Sequence, residues 1–257
     1  MTKNERQEIE VQLKKLVGII KKEFSDPRKT ALLKMYKGFG ERLLLAPASG
    51  KATFHNAFPG GYIDHVLNVI ELSMRNTKSL IDMGFKVDYT REELVFSAMH
   101  HDLGKLGDET EPYYIPETSQ WHRENQGSLF KHNPKLQYMS VTDRTLYLLQ
   151  VYGIPVSSKE WISIKLSDGM YDDANKKYLI SYSQDHHIDT ELFRIIHWAD
   201  HMATVLEKNR WEHANDVEET DDITEDIEEA EEQIDNGEVI EHEDAEKLIK
   251  SNAKLGS

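Results

Sequence analysis

The run His100-His101-Asp102-Leu103-Gly104-Lys105 brings two imidazoles, a carboxylate and an ammonium close together in the chain. Adjacent His and Asp at the C-terminal end of an apolar helix can both reach one cation. The glycine lets the chain turn sharply behind them, and Lys105 adds positive charge beside the cation. His65, just after Gly60-Gly61, and Asp200, within Ile195-Ile196-His197-Trp198-Ala199-Asp200-His201, can join that chemistry. A carboxylate amid such apolar packing is costly unless it is paired or metal-bound. Taken singly, His65 also reads as a satisfied core or surface histidine, and Asp200 as an exposed or salt-bridged residue. The chain has no cysteine, which excludes disulfides and thiolate sites. Any metal must then be held by His, Asp, Glu or water.

Helices are the elements available to position these groups. Apolar residues at helical spacing predict helices over about 4–24, 29–45, 62–83, 91–102, 142–152, 158–167 and 190–210. Gly38 and Gly40 weaken the second, and Thr90 with Glu93 forms a capping box for the fourth. Residues 46–61 read as a loop. Residues 104–140 have no sustained period, and a loop of that length is usually functional or disordered. Residues 168–188 read as irregular with a short strand at Tyr178 to Tyr182. The expected fold class is all-α: a helical bundle with long irregular active-site loops and an acidic C-terminal tail.

Charge is unevenly distributed. Residues 212–257 hold 18 Asp and Glu against 3 Lys, which is the whole net charge of −15. The other 211 residues balance, with 28 acidic and 28 basic side chains. A neutral body lacks the basic stripe of a stable duplex-DNA binder, and leaves room for a small anionic substrate. In the tail, Ile223, Ile227 and Ile234 permit a helix that docks on a neighbour, leaving a homo-oligomer open; such acidic runs are otherwise solvated or disordered. Met1 to Glu10 lack the apolar stretch of a signal peptide, and no apolar run approaches the ~18 residues that span a bilayer. The expectation is a cytoplasmic protein with no membrane partner, in a host's cytoplasm if the source is viral.

Together, His65, His101-Asp102 within HDLGK and Asp200 within HWADHMA resemble the HD superfamily of metal-dependent phosphohydrolases over about residues 55–207. That family's pattern is a His on one helix, a His-Asp pair on the next and a distant Asp on a late helix. The resemblance implies metal ligands His65, His101, Asp102 and Asp200, with His100 facing elsewhere. It divides the chain into N-terminal helices packing on the body (1–50), an HD phosphohydrolase domain (51–211) and the acidic, partly helical or disordered tail (212–257). Phe54 to Gly61 is similar to the stretch before the first ligand in HD proteins related to 3′–5′ exoribonucleases. Trp121-His122-Arg123, Asp143-Arg144 and Leu166 to Tyr171 are similar to HD proteins common in bacteriophages. Ser167 stands where some HD enzymes carry a further His, a departure that counts against a two-metal site unless His122, His132, His186 or His187 supplies one.

Two imidazoles and two carboxylates suit a divalent ion: Mn²⁺, Fe²⁺, Co²⁺, Ni²⁺, Zn²⁺ or Mg²⁺. Such an ion lowers the pKa of its water and polarises phosphorus. The expected catalytic residues are Asp102, Lys105, which would neutralise developing phosphoryl charge, and His122, a candidate general acid. Expected substrate contacts are His55, Arg123, Lys131, Tyr171 and Gly61, the last through free backbone N–H groups at a helix start. The expected reaction is hydrolysis of a phosphate ester or anhydride in a small-molecule nucleotide, a deoxynucleoside mono- or triphosphate. The alternatives are a phosphodiesterase or 3′–5′ exonuclease on short single strands, and a non-catalytic nucleotide-binding regulator.

Overall fold

The computed structural model describes residues 2–180 and 187–213. His186, Tyr182 and the tail isoleucines Ile223, Ile227 and Ile234 lie outside the described residues.

The described chain is mostly helical. Helix α1 (Lys3–Glu23) starts on a capping box, Thr2 with Glu5, and buries Ile9, Leu16 and Ile20 at helical spacing. The helix expected over 29–45 is two helices, α2 (Arg28–Phe39) and α3 (Glu41–Leu45). They part at Gly40, whose φ of +55° cannot continue a right-handed helix. Helix α4 (Gly61–Asp82) packs on α1 and on α5 (Arg91–His100). Thr90 and Glu93 cap α5 reciprocally, as the sequence predicts. All of Leu94 to His100 is buried, so α5 is enclosed on every side.

After α5 the chain tightens into a 3-10 turn, Leu103–Leu106, that lies on α7 (Val141–Val151). Gly104 is needed there: a Cβ would sit 2.2 Å from the Val141 carbonyl oxygen. Its N–H donates to Thr145 Oγ1 at 2.8 Å. The turn therefore fixes the direction of Asp102, just before it, and of Lys105, within it. Helix α8 (Ser158–Lys165) covers the other flank of α5.

Residues 104–140 are more ordered than their sequence predicts. Strands β1 (Tyr114–Pro116) and β2 (Phe130–His132) pair antiparallel, with Ile115 opposite Lys131, around helix α6 (Gln120–Gln126). Gly50 O accepts from Leu129 N and Phe130 N, tying the hairpin to the loop before α4. Three-residue strands are too short for period-two alternation to register. The strand expected from Tyr178 is instead helix α9 (Lys176–Leu179), as far as the described residues run.

Helix α10 (Leu192–Glu212) places Ile195, Ile196, Ala199 and Ala203 in the apolar core shared by α1 to α5, α7 and α8. That packing brings Asp200 inward from a helix distant in sequence.

Candidate metal centre

Four side chains from three helical segments converge. His65 Nε2 lies 3.3 Å from His101 Nε2. Asp102 Oδ2 is 3.5 Å from both nitrogens. Asp200 Oδ1 is 3.1 Å from His65 Nε2 and 3.6 Å from His101 Nε2. Donors bound to one ion at about 2.0–2.2 Å stand about 3.0–3.5 Å apart, so these separations match the edges of a coordination polyhedron.

The tautomers make the fit chemical as well as geometric. His101 Nδ1 is 2.8 Å from the Ala98 carbonyl, which can only accept. His65 Nδ1 is 3.1 and 3.2 Å from the two Glu207 carboxylate oxygens, which also accept. Both Nδ1 atoms therefore carry protons, and in the neutral rings both Nε2 atoms present lone pairs. Two lone pairs and two carboxylates facing one point, nearly sealed from water, require a cation or bound protons between them. Burial disfavours charge on His65, but the hydrogen bonds to Asp200 and Glu207 outweigh it and raise its pKa to about 9. Burial likewise opposes charge on His101, and Asp102 reverses it, holding the imidazole well above its ordinary value. Burial of Asp200 is overcome by the two histidines, which hold its carboxyl well below the usual range. His65 is 0% exposed, His101 1% and Asp102 7%, whereas Asp200 is 23% exposed, so Asp200 is the member of the cluster most open to solvent.

Lys105 Nζ lies 2.6 Å from Asp102 Oδ2. Burial works against its charge, but Asp102 overcomes this and raises its pKa, so Lys105 is cationic. His100 points away as expected: its Nδ1 donates to Phe96 O at 2.7 Å and its ring packs on Phe96. Burial, opposed by that carbonyl, brings its pKa down to about 3.

Two groups at the site, Glu207 and Asp168, were not expected there from the sequence. Glu207 is 2% exposed and holds His65 in place, itself held by Asn68 Nδ2 at 2.8 Å. It lies seven residues after Asp200, two turns along the same face of α10, and that spacing is the signal that could have found it. Asp168 carries a carboxyl whose pKa burial and then Asp102 raise to about 6. His197, one turn before Asp200, positions the Asp168 turn: its Nδ1 donates to Ser167 O at 2.7 Å. A Cβ on Gly169 would meet that imidazole at 2.5 Å.

The expected substrate residues divide. His55 belongs to the site, its ring centroid 4.7 Å from that of His65 and its Nε2 buried without a partner. Burial, then the charge on His65, brings its pKa to about 3, so it is neutral. His122 and Lys131 instead converge on Glu117, at 3.8 and 3.1 Å. Arg123 is exposed on α6, and Tyr171 is 83% exposed. Gly61 does not offer a free N–H: it donates to Phe58 O at 2.9 Å, and the next three amides of α4 are taken by Ala46 O and Gly60 O. Its role is packing, since a Cβ there would lie 2.1 Å from Asn56 O. Of the histidines considered for a second metal, His132 packs on Tyr113 and His187 pairs with Asp189. Ser167 Oγ donates to Ile164 O. Among the described residues the other cation-competent group, His55, His65 and Glu207, shares His65 with the first.

No family model, curated protein or solved structure matches the chain.

Proposed function

We propose that the chain is an HD-type metal-dependent phosphohydrolase that cleaves a phosphate ester or anhydride of a nucleotide. The observation carrying this reading is the pair of Nε2 atoms 3.3 Å apart, both Nδ1 protons committed elsewhere, beside two carboxylates and a lysine. His65, His101, Asp102 and Asp200 would hold the ion, and a divalent ion there supplies a nucleophilic water at neutral pH and polarises the phosphoryl oxygen.

The chain's own residues do the rest. Lys105 stabilises negative charge that grows on the phosphoryl oxygens, and does so in a nearly water-free setting where the attraction is strong. The Ala98 carbonyl and Glu207 fix the two ring orientations, so no reorganisation is needed when substrate arrives. Asp168, with a carboxyl poised near neutrality, can hold a proton for the departing oxygen. Neutral His55 presents a buried, unpartnered nitrogen next to the ligands, suited to a substrate oxygen or an ordered water. The complete ligand set and the cationic lysine favour catalysis over a merely regulatory nucleotide site. The balanced charge of the body favours a small substrate over a processively held strand.

The test is a product-resolved screen of the Mn²⁺-loaded protein against ribo- and deoxynucleotides, cyclic dinucleotides and short oligonucleotides, with His101→Ala as control. Turnover of a mononucleotide that His101→Ala abolishes, with its metal, supports the reading. Equal turnover by His101→Ala refutes the site, and degradation of single strands without action on any mononucleotide moves the reading to an exonuclease.

A further inference from the structure

Lys105 also lines a cavity of about 540 Å³ whose walls include none of the four candidate ligands. That is within the range of roughly 300–1,000 Å³ typical of small-molecule sites. Its walls come from α3 (Leu45), the 3-10 turn (Leu106), β1 (Tyr114, Ile115) and β2 (Phe130). Four of the chain's seven prolines, Pro47, Pro59, Pro112 and Pro116, complete it. Proline supplies rigid apolar surface and no backbone N–H. The cavity is thus preformed and poor in hydrogen-bond donors, which suits a flat, largely apolar body.

Its charged groups sit in an order that orients a ligand. Lys105 lines the cavity and also touches Asp102, so one ammonium joins the cavity to the metal centre. Arg42, the other cation of the lining, is turned to the backbone: its Nη1 donates to the carbonyls of Leu106, Asp108 and Glu111. Glu41 adds a negative charge beside it. The neighbouring cations are engaged too, Lys131 by Glu117 and Arg144 by the Gln137 carbonyl. One phosphate group finds Lys105; further phosphates find Arg42, whose Nη1 is already held by backbone carbonyls, and the Glu41 carboxylate, which Arg6 pairs at 3.4 Å. Tyr114 lines the cavity beside Lys105, and burial raises its phenol above the ordinary value while Lys105 opposes this, so the hydroxyl keeps its proton and can donate to a sugar or ester oxygen.

We propose that this cavity seats the nucleoside of a 5′-monophosphate, with its phosphate at Lys105 and the metal ligands, and that the site selects monophosphates over triphosphates. The proposal rests on the phosphohydrolase reading for its chemistry, but the cavity can be tested apart from turnover.

Leu45 is 44% exposed, so Leu45→Trp can add bulk at the cavity without overfilling the core. The Mn²⁺-loaded full-length protein and this variant are assayed with the four deoxynucleoside 5′-monophosphates and the corresponding triphosphates. Inorganic phosphate is titrated as the anchor-only probe. The expected result is KM raised about tenfold or more for the preferred monophosphate, an unchanged affinity for inorganic phosphate, and wild-type kcat/KM at least about tenfold higher for mono- than triphosphate. Nucleotide kinetics untouched by Leu45→Trp, or preference for triphosphates, would overturn the proposal while leaving the phosphohydrolase reading intact. If no nucleotide is hydrolysed, that reading fails, and calorimetric titration with the same monophosphates decides the cavity: binding weakened by Leu45→Trp upholds it, and absent or unaltered binding refutes it. Should Leu45→Trp melt early, Ile115→Trp enters the cavity from β1 and is judged by the same results.

Discussion

Glu207 stands outside the four-residue cluster of His65, His101, Asp102 and Asp200, yet it decides what His65 can be there. By accepting from Nδ1 it selects the tautomer whose Nε2 can bind a cation. Glu207→Ala should therefore weaken Mn²⁺ affinity about 10–100-fold, the usual effect of losing such a partner. Glu207→Gln, whose amide oxygen still accepts, should recover most of it; equal affinity in wild type and Glu207→Ala, by calorimetry, would show the contact to be incidental. Lys105 is the opposite case, since it touches a ligand but need not hold the ion. Lys105→Ala should keep the metal and slow turnover about 10²–10³-fold, the scale of losing one transition-state charge partner. Loss of metal together with a lowered melting temperature would make Lys105 structural.

At the scale of elements, the site exists because α4, α5 and α10 are each tied down close to their ligands. Helix α5 ends at His100, and the chain turns at once against α7, because Gly104 lets the backbone pass Val141. Helix α4 begins where Gly61 fits under the Asn56 carbonyl, one turn before His65. Gly61→Ala should cost about 1–3 kcal/mol of stability, typical of forcing bulk into a packed site. Denaturant unfolding checks this, and an unchanged midpoint would mean the loop before α4 relaxes freely. The hairpin of β1 and β2 acts differently, turning what reads as a structureless stretch into one wall of the cavity that Lys105 lines.

For the whole molecule, the candidate metal centre is a reservoir of pH-dependent stability. His65 has a folded-state pKa of about 9, above its ordinary 6.5, because Asp200 and Glu207 overcome the effect of its burial. In the metal-free protein its contribution is fully present below about pH 6.5 and is lost as pH rises through about 9. Metal-free protein should thus melt progressively lower from pH 6.5 to 9, and saturating Mn²⁺ should remove that decline by replacing the protons. A metal-free melting temperature flat over this range would contradict the protonation described here. The acidic tail beyond residue 213 lies outside the described residues, while all four candidate ligands and a continuous apolar core lie within residues 2–213. Removing residues 215–257 should leave a folded, metal-binding body, its salt-dependent interactions reduced. A large drop in melting temperature or loss of metal would show that the tail belongs to the fold.

The sequence by itself determined the helical class and most helix positions, and it singled out four residues that the fold brings together. Helical periodicity and capping boxes act over a few residues, so Thr90 with Glu93 could be read directly. His65, His101, Asp102 and Asp200 were legible as a pattern, although each alone was ambiguous. What only the tertiary structure decided depends on contacts across the chain. Glu207 meets His65 across 142 residues, and nothing local to either marks the pairing. Gly61 reads as an anion cradle until Phe58, Ala46 and Gly60 are seen to occupy the amides. His122 and Lys131 read as phosphate contacts until Glu117 engages both. A side chain's type can be read from one position, but its partner is set by packing: the same imidazole or ammonium serves a metal, a substrate or a carboxylate according to which group the fold brings within about 3 Å.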